Sequence, residues 1–143
     1  MNTIRTILKN KRSGEIWSVQ PGDTVLEAIT RMARLRIGAL LVMEGDKLVG
    51  ILSERDYARK IILQGRRSAE TLVSDIMTAD VATAPPEMTA REGLAIMTNG
   101  YFRHLPVVEN GMVVGLVSIG DLVKTVIAEQ QAMIDELERY VTG

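Results

Sequence analysis

Gly50-Ile51-Leu52-Ser53-Glu54-Arg55-Asp56-Tyr57 decides how this chain is read, because its skeleton returns 65 positions later as Gly115-Leu116-Val117-Ser118-Ile119-Gly120-Asp121-Leu122. Each stretch is an apolar run of strand length ending in a serine with an acid three residues on, the pattern of a strand feeding a capped helix. Carrying the same shift outward aligns 16–62 with 81–127 without a gap. Identities collect on both sides: Pro21/Pro86, Thr24/Thr89, Glu27/Glu92, Met32/Met97, Leu40/Leu105, Val42/Val107, Glu44/Glu109, Val49/Val114 and Ile62/Ile127. The chain is therefore two copies of one unit. They are expected to pack with pseudo-twofold symmetry, each covering apolar surface the other cannot bury alone.

Within a copy the order is strand, helix, strand, strand, helix. Residues 16–19 are a short extended run ended by Pro21-Gly22, and Thr24 with Glu27 forms a capping box opening a helix to about Arg36. Val25, Ile29, Met32 and Leu35 give that helix its buried stripe. Residues 39–43 and 47–52 read as a hairpin around Glu44-Gly45-Asp46, and Ser53 caps a helix over about 55–63 that Gly65 stops. The second copy repeats this with a strand at 81–84, a helix from Thr89 to about Asn99, a hairpin of 105–108 and 112–117 around Asn110-Gly111, and a last helix capped by Ser118. Residues 64–78 connect the copies. The expected fold is mixed α and β: two βαββα repeats and an extended C-terminal helix, divided as 1–65, 66–128 and 129–143. Past the repeat, Val123, Ile127, Gln130, Ile134, Leu137 and Val141 step by four and three, the spacing of a seam. Packing on the chain's own first strand and N-terminal residues, and contact with a second chain, account for that seam equally well.

Composition narrows the function. The 143 residues are 46% apolar and 24% charged, a globular balance, with 17 Lys and Arg against 18 Asp and Glu and a formal charge of −1. A nucleic-acid backbone finds no basic excess to hold it, and neither nucleic acid nor a membrane is an expected partner. The absence of cysteine removes disulfides, thiolate metal sites and thiol nucleophiles, and a single histidine, His104, excludes a His-rich metal site or a His-pair relay. Gly45 to Gly50 and Gly115 to Gly120 have the glycine spacing of a phosphate loop, but Ile51 and Asp121 stand where its lysine must be; those glycines are assigned to turns and caps. No apolar run reaches the length of a membrane span. Arg5, Lys9, Lys11 and Arg12 make a basic start without a signal-peptide core, and Ile4, Ile7 and Leu8 have the spacing of a short packed element, with an organelle-targeting segment as the alternative. A cytoplasmic location is expected.

Ser53-Glu54-Arg55-Asp56 and Ser118-Ile119-Gly120-Asp121 recur at the strand-to-helix junction. The pattern is an ordinary capping box; it is also a serine and free helix N–H groups suited to a phosphate, beside a carboxylate that can accept two ribose hydroxyls. Arg103-His104-Leu105-Pro106-Val107 sets two potential cations before a buried strand, where the first copy has Gly38-Ala39-Leu40-Leu41-Val42. Arg103 reads as a solvated surface charge or an anion ligand, and His104 as a satisfied strand-end histidine or part of the same site.

With Asp75-Ile76-Met77-Thr78 added, these segments resemble the tandem CBS-domain pair, the regulatory module of cystathionine beta-synthase type, over most of 7–127. The chain is most similar to stand-alone pairs with no catalytic or transport domain attached. The resemblance implies a non-catalytic, signal-transducing regulatory protein that binds adenosine-containing ligands (AMP, ADP, ATP, NAD(H) or S-adenosylmethionine) in the cleft between copies, with no catalytic cofactor or metal. It implies a homodimer, disc-like in many such pairs, and an unidentified regulated partner. Carried over, Ser53, Arg55 and Asp56 face Thr78, Thr83, Arg103, His104 and Pro106, while Ser118, Gly120 and Asp121 face Trp17, Gly38 and Ala39. The first site then holds the cations for a phosphate, and AMP-like ligands are expected to prefer it. The alternative is an assembly module with no nucleotide.

Overall fold

The computed structural model describes residues 2–11 and 16–142; Arg12 of the basic start and Gly143 of the expected extension lie outside them. In chain order the elements are α1 (Ile4–Asn10), β1 (Ser18–Val19), α2 (Val25–Leu35), β2 (Ala39–Glu44), β3 (Lys47–Ser53), α3 (Glu54–Tyr57), a π-helical turn (Ala58–Ile62), a 3-10 turn (Ser68–Glu70), α4 (Val73–Ile76), α5 (Ala90–Gly100), β4 (His104–Glu109), β5 (Met112–Ser118) and α6 (Ile119–Thr142). The mixed α and β class and the tandem repeat are both present. Two compact units result, Ile16–Ala82 and Met1–Glu15 with Thr83–Gly143.

The unit Ile16–Ala82 holds the sheet β1-β2-β3, with β1 parallel to β2 and β2 antiparallel to β3. The Thr24 hydroxyl accepts the Glu27 amide to open α2, which buries Val25, Ala28 and Met32 against Val19, Leu40, Val42 and Leu52. Ile29 packs on the edge of this core and Leu35 is half-buried, so the stripe is centred one step from the expected one. The other unit pairs β4 with β5 antiparallel and buries Ala84, Ala90, Met97, Leu105, Val107, Val117, Leu122 and Val126. The strand expected at 81–84 shrinks to one parallel bridge, Ala84 to Val107, because Pro85 and Pro86 follow and proline has no amide for a ladder.

The repeat extends to backbone detail. Arg36 and Tyr101 end α2 and α5 in the left-handed region (φ 57° and 58°), Gly45 and Asn110 take the same conformation in the hairpin turns (φ 63° and 53°), and the registers shift after Val42 and after Val107. Gly50 and Gly115, however, lie inside β3 and β5, not in turns. A Cβ on Gly50 would sit 2.6 Å from Met77 Sδ, and one on Gly115 2.6 Å from Leu8 Cδ2, so each glycine admits a side chain crossing its strand.

Those crossing side chains explain the largest departure from the sequence division. Residues 64–78 are not a bare connection, since Val73 and Ile76 of α4 are buried in the first repeat. The Val73 and Ser74 amides donate to Asp23 O (2.8 Å) and Pro21 O (3.0 Å). In the other unit the Ile4 and Arg5 amides donate to Met88 O (2.8 Å) and Pro86 O (2.9 Å), and Ile4 and Ile7 enter the core. Helix α1 thus does for the second repeat what α4 does for the first, and the N-terminal segment belongs with 83–143 instead of with 16–65. The packed element expected from Ile4, Ile7 and Leu8 is present, but its host is the distant repeat.

Two helices also differ. The helix expected over 55–63 is α-helical only to Tyr57; the Leu63 amide then bonds Ala58 O, and the wider turn buries Ile61 while Ile62 and Leu63 stay exposed. Helix α6 packs through Leu122 and Val126, and the seam residues beside them are exposed, from 38% at Val123 to 86% at Val141.

Candidate functional site

Both Ser-x-x-Asp boxes close as reciprocal caps. Ser53 N and Oγ donate to Asp56 Oδ2 at 3.0 and 3.1 Å, and the Asp56 amide donates to Ser53 Oγ at 3.2 Å. Ser118 N donates to Asp121 Oδ2 at 2.8 Å, and the Asp121 amide to Ser118 Oγ at 3.2 Å. The amide that starts each helix is tied as well, Glu54 N to Gly38 O (3.0 Å) and Ile119 N to Arg103 O (2.8 Å). Two amides of each first turn are therefore already satisfied, and an anion at these junctions meets fewer free N–H groups than the sequence pattern implies.

The carboxylates differ in what else they hold. Asp56, 8% exposed, offers Oδ1 to the Thr78 hydroxyl (3.2 Å) and to the Lys60 ammonium (3.4 Å). Thr78 is delivered there by mutual backbone bonds with Ile51, both 2.9 Å. Asp121 instead receives Lys11 Nζ on Oδ2 at 2.9 Å, and Lys11 also bonds Leu116 O at 2.9 Å. Burial pushes the Asp121 carboxyl up, but the Ser118 amide and the Lys11 ammonium together outweigh it and hold the group below its ordinary value. His104 lies across the ladder from Ser118; burial, then Lys11 and Arg103, drive its pKa down against the opposing pull of Asp121, so the ring is neutral at pH 7.

Each unit gathers its own set. Ser53, Arg55, Asp56 and Thr78 share a unit with Gly38, with Ala39, which pairs with Ser53, and with Trp17, whose carbonyl accepts the Leu41 amide and whose ring carries the Arg31 guanidinium 5.8 Å above it. Ser118, Gly120 and Asp121 share the other with exposed Thr83 and Arg103, half-buried His104 and buried Pro106, whose carbonyl accepts the Ala84 amide. Lys60 and Lys11, which touch the two aspartates, are the site residues sequence reasoning missed. Lys60 stands four residues after Asp56, a helical neighbour spacing open to reading; Lys11 carries no local signal. Among the described residues no group of three or more His, Asp or Glu side chains could hold a metal, and no helix is long and apolar enough to cross a membrane.

The family model for the CBS domain matches the chain twice, at 12–63 and 73–128. The mitochondrial CBS domain-containing protein CBSX3 of Arabidopsis thaliana is 39% identical over 99% of this chain and 72% of its own length, whereas this chain spans 22% of the longer relative CBSCBSPB2 from the same plant, at 40% identity. Among solved structures, a CBS-domain protein of Burkholderia ambifaria is 50% identical with a TM-score of 0.86, covering 90% of this chain and 96% of its own. The CBS domain pair of protein MJ0100, solved with 5′-methylthioadenosine and S-adenosyl-L-methionine, shares the fold at 24% identity and a TM-score of 0.79, over 90% and 98% of the two chains. This chain belongs to the CBS-domain proteins, with two CBS domains in tandem.

Proposed function

We propose that the protein is a non-catalytic, cytoplasmic sensor that binds an adenosine-containing ligand (AMP, ADP, ATP or NAD(H)) through its Ser-x-x-Asp junctions and signals by shifting a dimer or partner equilibrium. One observation carries this reading: after each hairpin stands an aspartate, Asp56 buried and Asp121 half-buried, whose carboxylate is fixed by the serine that ends the hairpin, and that serine pairs with the first residue of the hairpin's first strand, Ala39 or His104. Each such carboxylate has two acceptor oxygens, which suits it to the hydroxyl pair of one ribose. Membership in the CBS family supports it, as do the methylthioadenosine and S-adenosylmethionine held by MJ0100. In the full proposal Asp56, Ser53 and Arg55 act with Thr78, Thr83, Arg103, His104 and Pro106, and Asp121, Ser118 and Gly120 with Trp17, Gly38 and Ala39. A ligand shifts the equilibrium only as far as it binds one state better.

Calorimetric titration of AMP into wild type, Asp56→Asn and Asp121→Asn tests the reading, the amide keeping a cap acceptor while removing the charge. AMP binding is expected to weaken about tenfold or more in Asp56→Asn, by loss of a charged hydrogen-bond acceptor. Weakening in Asp121→Asn alone would overturn the assignment. The Lys11 contact to Asp121 and the closed caps favour a second reading, an assembly module whose aspartates serve the fold alone. Thermal melting with millimolar AMP, ATP or NADH separates the two, because a ligand held by the folded state raises the midpoint.

A further inference from the structure

We infer that the exposed seam of α6 closes against the same seam of a second copy, the two helices running antiparallel with their twofold axis level with Ala132. This rests on the proposed dimer and adds its surface, direction and register.

The helix itself calls for a partner. Its buried residues, Leu122 and Val126, lie near its start, and from Gln130 to Thr142 every side chain is exposed. A helical stretch of about a dozen residues with no packed face is marginal in water. The exposed apolar residues are not scattered: Val123, Ile127, Ile134, Leu137 and Val141, with Gln130 between, fall at alternating steps of four and three, which makes Ile127, Ile134 and Val141 the a positions of a heptad and Val123, Gln130 and Leu137 its d positions. The residues beside that seam are Lys124, Gln131 and Glu138 on one flank and Val126, Met133 and Tyr140 on the other.

Charge selects the direction. In a parallel pair the flanks meet each other, and Met133 faces Glu138 with no opposite charge in reach. In an antiparallel pair each flank meets its own copy. Ile127 then packs on Leu137 of the second copy, Val123 on Val141 and Gln130 on Ile134, while Lys124 comes opposite Glu138 at both ends and Gln131 opposite itself. A slip of one heptad breaks both ion pairs and shortens the seam, so the same residues fix the register.

The chain has no cysteine, so single substitutions place one thiol per chain. Ile127→Cys and Leu137→Cys alter exposed positions. In an antiparallel pair of Leu137→Cys chains, or of Ile127→Cys chains, the two thiols are about 15 Å apart along the axis at 1.5 Å per residue, too far to bond. Under mild oxidation each variant alone is expected to run as a single chain on a non-reducing gel, and their equimolar mixture to give a crosslinked dimer. By light scattering, Lys124→Glu is expected to raise the dimer dissociation constant about fivefold, with Lys124→Glu/Glu138→Lys restoring it. Crosslinking of either variant by itself would show a parallel pair and overturn the proposal. A dimer that gives no mixed crosslink and ignores the charge swap overturns this surface while leaving the dimer standing; a monomeric mass overturns both.

Discussion

Asp121 and His104 sit on one patch with Lys11 and Arg103, and both have their pKa values pushed down in the folded protein. For His104 the unfolded chain takes up a proton as pH falls through the ordinary value of 6.5, while the buried ring resists it. Stability therefore declines from about neutrality down to the depressed folded value, because the unfolded state binds more protons there. Asp121 has the same sign in a lower window: its cap and ion pair stabilise above the ordinary 3.8 and are lost as pH falls through the lowered folded value. Urea midpoints measured from pH 7.5 to pH 2.5 are expected to fall less steeply above pH 5 in His104→Gln than in wild type, with Asp121→Asn flattening the acid end below pH 4. A His104→Gln protein with the wild-type slope would refute this. The same patch marks a limit of sequence reading. Lys60 could be placed beside Asp56 from helical spacing, but Lys11 reaches Asp121 across 110 positions, and only the fold of the N-terminal segment brings them together.

At the scale of elements, both hairpins were legible because strand-length apolar runs flank turn residues that tolerate positive φ, Gly45 in one and Asn110-Gly111 in the other. The π-helical turn and α4 were not, since tertiary packing of Ile61, Val73 and Ile76 decides both and local pattern does not. Gly50 and Gly115 read as turn glycines only because the segment lying over each strand was not foreseen. Their substitutions should differ in kind. On Gly50 a methyl meets Met77 and also Thr78 O at 3.0 Å, a carbonyl pinned to Ile51, so Gly50→Ala is expected to cost about 1–3 kcal/mol by overpacking. On Gly115 the three atoms nearest the methyl all belong to the Leu8 side chain, and trimming that side chain makes room. A double-mutant cycle by chemical denaturation should therefore show Gly115→Ala less harmful in a Leu8→Ala background than in wild type, a coupling that contact through side chains predicts. Simple additivity of the two changes would contradict the packing described.

For the molecule as a whole, the 65-residue shift revealed two units but not which unit the N-terminal segment completes, because an Ile4-Ile7 pair looks the same whatever it packs on. The structure gives the segment a distant host. Ile4 is fully buried with Ala90, Met97, Leu105 and Leu122, all of them far along the chain, although it lies next in sequence to the other repeat. Truncating a buried isoleucine costs about 2–5 kcal/mol through lost burial and the cavity left behind. Ile4→Ala should therefore weaken the far unit, lowering amide-exchange protection in α5, β4 and β5 while β2 and β3 keep theirs. Val73→Ala, in the linker between the repeats, should do the reverse, because α4 completes the first repeat. The two variants together distinguish local from global stability: crossed patterns of lost protection mean that each repeat opens as its own unit with its borrowed segment, whereas equal loss in every strand for both variants would mean a single cooperative body and would sink this prediction.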